Sequence, residues 1–503
     1  MKAQTEHQMD VGDKTNDALR VNGQDLRCKV VGEGGNLGFT QLGRIEYALK
    51  GGRIYTDAMD NAAGVDCSDH EVNIKILLDA IVTNGDMTHK QRNQLLAEMT
   101  EAVTHLVLKN SYLQMQSLSI SHSISPQLLD LHGRFIRHLE RQGQLDRALE
   151  FLPSHKVLAE RQVVQQGLTA PELCVLQAYS KITLYKTLLE SDLLEEPYFK
   201  TNLENYFSAP LPERFAAPIA LHRLRREIIA TKLTNLVVNY SGIVFVFGLD
   251  EETGQTAADI VRAFMVSWKI FDMQSIFAEI EALDDQISAI VQIRMMIAAR
   301  QQIERASRWL LRHYKMPLEI ANSINTLRPG VLQLADSLSS LMSHADQEQL
   351  EMNAQQFIDA GVSKAFATRV ASLVYLLSAL DIVEVANTTS VKLEKVAAVH
   401  FLLGTRLKLH WLRAHIGKLP RDTRWTALSR SALRDELYRT HRQLTTVVLQ
   451  NDDNDIAPDA LLSKWMETKS IERCQNVLSD LSCIKKPDLS MLSVALREIR
   501  NLL

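Results

Sequence analysis

Leu26-Arg-Cys-Lys-Val-Val-Gly-Glu-Gly-Gly-Asn-Leu-Gly38 is the stretch on which the reading of this chain turns. Leu26 to Val31 alternates and carries β-branched residues, which predicts a strand. Gly32 to Gly38 follows as a glycine-rich turn. Gln41 to Lys50 then puts Leu42, Ile45 and Leu49 on one helical face. Gly51-Gly52 ends that helix as a C-cap, and Arg53-Ile-Tyr-Thr-Asp57 predicts a second short strand. Strand, turn, helix, strand is a βαβ unit, with parallel strands and a right-handed crossover. Two strands do not make a stable sheet by themselves. These residues therefore read as the end of a doubly wound domain whose earlier strands lie outside this chain.

Outward from that stretch the texture changes near residue 80. A loop is expected from Asp60 to Asp69 and a helix from about His70 to Asn84. From Thr88 onward the pattern predicts helices. Gln91 to Asn110 carries Leu95, Leu96, Met99, Val103, Leu106 and Val107 on one stripe. Phe277 to Tyr314 is the longest, with Ile280, Leu283, Ile287 and Ile290 spaced as for a helix hairpin or short coiled seam. Val362 to Val383 and Ser390 to Leu412 are further helices, and Pro210 to Pro218 and Pro317 to Pro329 read as breaks. The expected fold is mainly α, with a small α/β remnant of a doubly wound dinucleotide-binding domain over residues 1–85 and a helical region over 86–503. Sub-boundaries are expected near 210–218 and 317–329.

Composition narrows the function classes. The 503 residues are 46% hydrophobic and 23% charged, which is globular, and the length exceeds one core. A net charge of −4 and a pI near 6.4 lack the basic excess of nucleic-acid binders. Cys28, Cys67, Cys174, Cys474 and Cys483 form no CxxC pair, so no zinc knuckle or redox motif is read, and a reducing cytoplasm suits them. The polar start carries no apolar signal segment. Leu236 to Phe247 is apolar but too short to span a membrane, and Asn239, Tyr240, Ser241 and Gly242 interrupt it.

Two segments carry chemistry. The turn after Val31 exposes backbone N–H groups of the kind that hold a phosphate. Its spacing is GxGGxxG, however, with Leu37 where the third glycine of a dinucleotide fingerprint belongs, and Asp57 is only a loose match to the ribose-binding acid. The plainer reading is a tight βα turn that uses glycines for backbone room. The second segment, Thr56 to Glu71, follows the second expected strand, at the edge where open α/β sheets bind ligands. Cys67, Ser68, Asp69 and His70 do not make a triad, because neighbours in sequence point in different directions. His410-Trp-Leu-Arg-Ala-His415, with Arg406, Lys408, Arg413, Lys418, Arg421, Arg424 and Trp425 around it, reads as a solvated helix face. His222-Arg-Leu-Arg-Arg226 reads as an ion-pair cluster.

Glu33-Gly-Gly-Asn36, followed by Thr40, resembles the E-G-A-N-x-P-T-T segment of glutamate dehydrogenases. Asn61-Ala-Ala-Gly-Val65, with Ser68 and Glu71 after it, resembles their N-A-G-G-V-x-x-S-x-x-E segment. The text from about Val11 to Leu78 is closer still to the large NAD-specific bacterial branch. Further along, Lys90-Gln-Arg-Asn-Gln-Leu-Leu, His132-Gly-Arg-Phe-Ile-Arg, Gly167-Leu-Thr-Ala-Pro-Glu-Leu and His222-Arg-Leu-Arg-Arg-Glu-Ile-Ile-Ala-Thr resemble the helical C-terminal region of that branch. Gly35, Gly38, Phe39 and Ala63 depart from the family pattern.

The resemblance implies roles. Asn36, with Gly34 and Gly35, would hold the nicotinamide end of NAD, and Asn61 would contact it too. Ser68 would offer its hydroxyl to the side-chain carboxylate of L-glutamate from a helix start, and Glu33 would order the turn. The implied reaction is NAD-dependent oxidation of L-glutamate to 2-oxoglutarate and ammonia, in a cytoplasmic homo-oligomer with no nucleic-acid or membrane partner and no metal. The family's catalytic lysine, catalytic aspartate and GxGxxG turn find no match here. On this reading the chain holds no catalytic residue, is a fragment, and waits on an N-terminal polypeptide. The alternative is a helical scaffold that keeps a relic nucleotide-binding unit.

Overall fold

The computed structural model describes residues 1–36, 38–420, 422–450 and 456–503, so Leu37 and Arg421 fall outside the described residues. Helix accounts for 73% of the chain. Two compact units are present, Met1–Val261 and Arg262–Leu503.

The first unit holds α1 (Gln41–Leu49), α2 (Asp57–Asp60), α3 (Ala62–Thr83), α4 (His89–Glu98), α5 (Thr100–Ser123) and α6 (Ser125–Arg141). It continues with α7 (His155–Val163), α8 (Ala170–Leu189), α9 (Lys200–Glu204), α10 (Leu211–Ala220), α11 (Arg225–Ser241) and α12 (Phe245–Thr253). The boundary falls inside α13 (Ala257–Ile270). The second unit holds α14 (Met273–Glu281), α15 (Ala289–His313), α16 (Ile320–Leu341), α17 (His344–Ile358), α18 (Lys364–Leu376) and α19 (Ser378–Thr389). It ends with α20 (Leu393–Arg406), α21 (Leu409–Lys418), α22 (Arg424–Gln450), α23 (Pro458–Trp465), α24 (Lys469–Ser482) and α25 (Leu489–Arg500).

The helical bulk is as expected, but the α/β remnant is not seen as a sheet. Among the described residues the β pairing amounts to two isolated parallel bridges, Lys2 with Asn22 and Val30 with Arg53. The two expected strands meet on one rung, Val31 N–H to Arg53 O at 2.9 Å and Arg53 N–H to Lys29 O at 2.9 Å. Val30 is 64% exposed, and among the described residues no further rung extends this pair.

Other boundaries move for identifiable reasons. The expected loop at 60–69 is helical, and α3 starts eight residues early at Ala62, with Gly64 tolerated in its first turn. The long helix from Phe277 is two helices, α14 and α15, joined by a turn in which Asp285 has φ 61°. Its expected seam fails at Ile290, which is 64% exposed, while Met295, Ala299, Ile303 and Leu310 face the core. Met99 separates α4 from α5, and α18 and α19 bend by 60° at Leu377. Pro329 does not break its helix but lies within α16. There Gly330 lets α16 approach α19 closely, since a Cβ would lie 2.6 Å from Val383 Cγ2. Among the described residues no single helix is long and apolar enough to cross a membrane, and the apolar run at 236–247 sits at the 85° bend between α11 and α12.

The core of the first unit runs through α5, α6 and α8, where Leu118, Ile136, Leu173 and Leu176 are fully buried. Gly167-Leu-Thr-Ala-Pro-Glu-Leu turns out to be the start of α8. Thr169 and Glu172 form a capping box, with Pro171 in the first turn. Arg161 of α7 grips Glu172 with two bonds of 2.7 and 3.0 Å and reaches Gly167 O at 3.3 Å. The Ser125 Oγ at the start of α6 accepts the Leu168 N–H at 2.7 Å.

Gly167 is held there by lack of space. An added Cβ would stand 2.4 Å from Ser125 Oγ and 2.6 Å from the Pro126 backbone nitrogen. Gly167→Ala is therefore expected to lose about 1–3 kcal/mol in urea unfolding. Gly64, whose Cβ would meet nothing within 4 Å inside α3, provides the contrast. Gly64→Ala is expected to gain roughly 0.5–1 kcal/mol. A loss of stability at Gly64 would contradict the helix assigned to it.

Candidate functional site

The glycine turn is fixed from beneath by charge. Glu33 is buried, and Arg44 from the middle of α1 holds it with two bonds, Nε to Oε2 at 2.6 Å and Nη2 to Oε1 at 3.1 Å. The same guanidinium reaches Asp57 of α2 at 3.1 Å and Gln41 at 3.2 Å. The Glu33 N–H donates to Asp60 Oδ2 at 2.8 Å. Burial raises the Asp60 carboxyl above its usual range, against the pull of that backbone bond and of Arg44. Thr40 caps α1 by accepting the Gly43 N–H at 3.0 Å, and Gln41 ties α1 to the start of α8 through Pro171 O at 3.2 Å.

Above this framework Gly34, Gly35 and Asn36 are exposed. None of Gly32, Gly34 and Gly35 has a positive φ, and a Cβ on any of them would meet nothing within 4 Å. Asn61, at the junction of α2 and α3, donates its side-chain N–H to Asn36 Oδ1. The two asparagines 25 apart in sequence thus lie side by side, while the Nδ2 of Asn36 and the Oδ1 of Asn61 make no other bond among the described residues.

Ser68 sits in the second turn of α3, not at a helix start, and its hydroxyl donates to Gly64 O at 3.1 Å. The dipole argument for an anion at Ser68 therefore fails, because the dipole acts within the first turn of a helix. Cys67, Ser68, Asp69 and His70 form no triad. Asp69 accepts the Tyr206 hydroxyl at 2.8 Å, and the His70 ring stacks on Tyr206 with centroids 4.5 Å apart. Asn73 donates to the Tyr206 oxygen at 2.8 Å, and its own carbonyl meets His222 Nε2 at 3.1 Å. Burial lowers the His70 pKa and raises that of Tyr206, the latter helped by the Asp69 bond. This network makes α3 a strut between the turn and the helices behind it. Lys181 of α8 joins the same region, donating to Gln114 at 2.9 Å, and burial brings its pKa down to about 7.

Sequence reasoning missed Arg44, Asp60, Tyr206 and Lys181. Arg44 looks like an ordinary polar helix residue, and its partners lie eleven and thirteen positions away, outside any local pattern. His222-Arg-Leu-Arg-Arg226 is an ion-pair cluster as expected, with Arg226 on Glu195, Leu189 O and Ser191 O. In the second unit Trp411 packs on His415, with centroids 4.4 Å apart.

The family model for the C-terminal region of glutamate dehydrogenase matches residues 165–501. The model for the catalytic domain of bacterial NAD-glutamate dehydrogenase matches residues 1–121. Among curated proteins, the chain is 42% identical to the NAD-specific glutamate dehydrogenase of Pseudomonas aeruginosa. It is 40% identical to that of Halomonas elongata and 38% to that of Mycobacterium tuberculosis. Each alignment covers 100% of this chain and 31% of the relative, so the chain spans about a third of their length.

Removing one partner of the buried Arg44–Glu33 pair leaves an uncompensated charge. Arg44→Met is expected to cost about 3–5 kcal/mol in urea unfolding. Adding Glu33→Gln to it is expected to recover part of the loss, and strict additivity of the two changes would disprove the coupling. Lys181 supplies a pH signature. Its folded pKa, about 7, lies below the ordinary lysine value of 10.5, so the unfolded chain binds more protons between about 7 and 10.5. This group therefore makes stability rise with pH across that window. Lys181→Met is expected to flatten the slope, as read from unfolding midpoints at pH 7 and pH 10.

Proposed function

This chain belongs to the NAD-specific glutamate dehydrogenase family, and from that premise we propose that it supplies the nicotinamide-side wall and a substrate contact of an enzyme that converts L-glutamate to 2-oxoglutarate and ammonia. The observation that carries the proposal is the Asn61–Asn36 hydrogen bond, which joins the two family-like segments at one exposed spot beside open glycines. The pair leaves one amide donor and one amide acceptor available, the complement of a carboxamide such as that of nicotinamide. Bound NAD would supply the acceptor for the hydride leaving the glutamate Cα.

In this reading Asn36 and Asn61 orient the nicotinamide end, and Gly34 and Gly35 keep side chains out of its path. Ser68 turns its hydroxyl from Gly64 O toward the substrate's side-chain carboxylate, a change of one rotamer. Glu33 is not a proton carrier, since both of its oxygens are taken by Arg44. No residue of the chain matches the family's water-activating lysine or proton-shuttling aspartate. We therefore assign those roles to a separate N-terminal portion, and read residues 1–85 as the end of a doubly wound domain and 86–503 as the helical region of a cytoplasmic homo-oligomer.

The test is NADH formation from glutamate and NAD. The 503-residue chain alone is expected to give none. Mixed with a polypeptide that carries the lysine, the aspartate and the GxGxxG turn, it is expected to turn over. In that mixture Ser68→Ala should raise the KM for glutamate roughly tenfold to a hundredfold, the loss of a hydrogen bond to a charged group. Robust turnover by the chain alone would mean that the site lies elsewhere, and an unchanged KM would remove Ser68 from it.

A further inference from the structure

In the second unit α22 and α25 pack side by side and leave an open groove of about 430 Å³ between them. That is the size of a small-molecule site. Each wall is one row of residues at helical spacing. Ser429, Ala432, Leu433 and Glu436 line it from α22, at i, i+3, i+4 and i+7. Leu489, Ser493, Leu496, Arg497 and Arg500 line it from α25, at i, i+4, i+7, i+8 and i+11. Arg500 lies 3.7 Å from Glu436, so the two rows run in the same direction and their charged ends coincide. From Leu489 to Arg500 the groove is about 16 Å long, at ~1.5 Å per helical residue.

The groove is charged at one end only. Ala432, Leu433 and Leu496 give it an apolar floor, and Leu489 stands at the far end with 41% of its surface exposed. Trp425, one turn before Ser429 on the same face of α22, is 72% exposed and continues the apolar track. Ser493 adds little polarity, because its hydroxyl donates to Leu489 O at 2.7 Å. At the other end stand Arg497 and Arg500. The carboxylate nearest Arg500, that of Glu436, is already held by Arg439 at 2.9 Å. The one nearest Arg497, that of Glu498 at 4.0 Å, is held by Arg473 at 3.3 Å. Among the described residues neither Arg497 nor Arg500 donates a hydrogen bond, so both forks are available to a ligand.

We propose that this groove binds a single-tailed amphiphilic carboxylate, a medium-chain fatty acid, with its head on Arg497 and Arg500 and its tail along Leu496, Leu433 and Leu489 toward Trp425. A planar carboxylate takes paired, charge-assisted bonds from a guanidinium fork. The lining carries two guanidinium groups and one carboxylate, a single net positive charge, which matches a singly charged head. The tail is held by burial of its methylene groups, and affinity grows with the number buried. A furrow between two neighbouring helices takes one chain and not the flat surface of a bilayer, so the occupant is the free acid. The site lies wholly within Arg262–Leu503 and does not depend on the dehydrogenase reading.

The experiment is calorimetric titration of the full chain with decanoate, below the concentration at which it forms micelles. Butyrate keeps the head and shortens the tail, and decyltrimethylammonium keeps the tail and inverts the charge. Saturable decanoate binding below about 1 mM is expected, with neither control saturating up to about 10 mM. Arg497→Gln combined with Arg500→Gln is expected to weaken decanoate by about tenfold or more and to end the preference over decyltrimethylammonium. Ala432 is exposed, so Ala432→Phe fills the groove without entering the core. That variant should lose binding and unfold at the same temperature as the parent chain. Absence of saturation by decanoate, equal binding of the cationic amphiphile, or unchanged binding by Ala432→Phe would each overturn the proposal. So would self-association that Ala432→Phe disrupts in sedimentation while decanoate leaves it unaltered, because the occupant would then be a second copy of the chain.

Discussion

One buried guanidinium organises the N-terminal unit. Arg44 stands where the glycine turn, α1 and α2 converge, and it bonds Glu33 of the turn and Asp57 of α2 at once. A sheet normally fixes such a turn by running strands in and out of it, but here the strands share one rung. The ion pair takes over that duty. It sets the height of Glu33, which sets Asp60 through the backbone bond, and Asp60 in turn fixes the junction at which Asn61 meets Asn36. Ionic anchoring of this kind contributes less to net stability than an apolar contact of the same size, but it is far stricter about geometry.

The helical part was the legible part. Apolar spacing marks out α1, α5, α15 and α18, and Thr88, Thr169 and Ser363 sit as caps where side-chain oxygens meet backbone donors. What periodicity could not give was the place where a helix stops. The apolar rhythm carries on through the turn at Asp285 and the bend at Leu377, because buried positions recur on both sides. Pro329 misled for the opposite reason. A proline reads as a break, yet the Gly330 beside it lets two helices touch, and that packing outweighs the lost bond.

The site was legible as a set of residues and illegible as a geometry. Asn36 and Asn61 were read from two segments, and their contact follows from the chain returning beside itself after α1. Ser68 was read at a helix start and lies a turn deeper, because Ala62 and Ala63 extend α3 toward Asn61. Arg44 and Tyr206 carry no local signal, since their partners are recruited from distant sequence. The helices that brace the turn from behind therefore emerge only once they are packed.

The openness of Gly34 and Gly35 has a consequence for how this chain drifts over generations. Neither needs a left-handed backbone, and neither is crowded by any neighbour. Folding therefore exerts no selection on them, and alanine or serine at either position would be invisible to a quality-control system that senses only stability. Gly167 is the opposite case, protected by packing whatever the chain does. A lineage that had abandoned recognition at the turn would keep Gly167 and lose the pair at 34 and 35. The relative decay of the two sites thus acts as a clock for the function itself, separate from the survival of the fold.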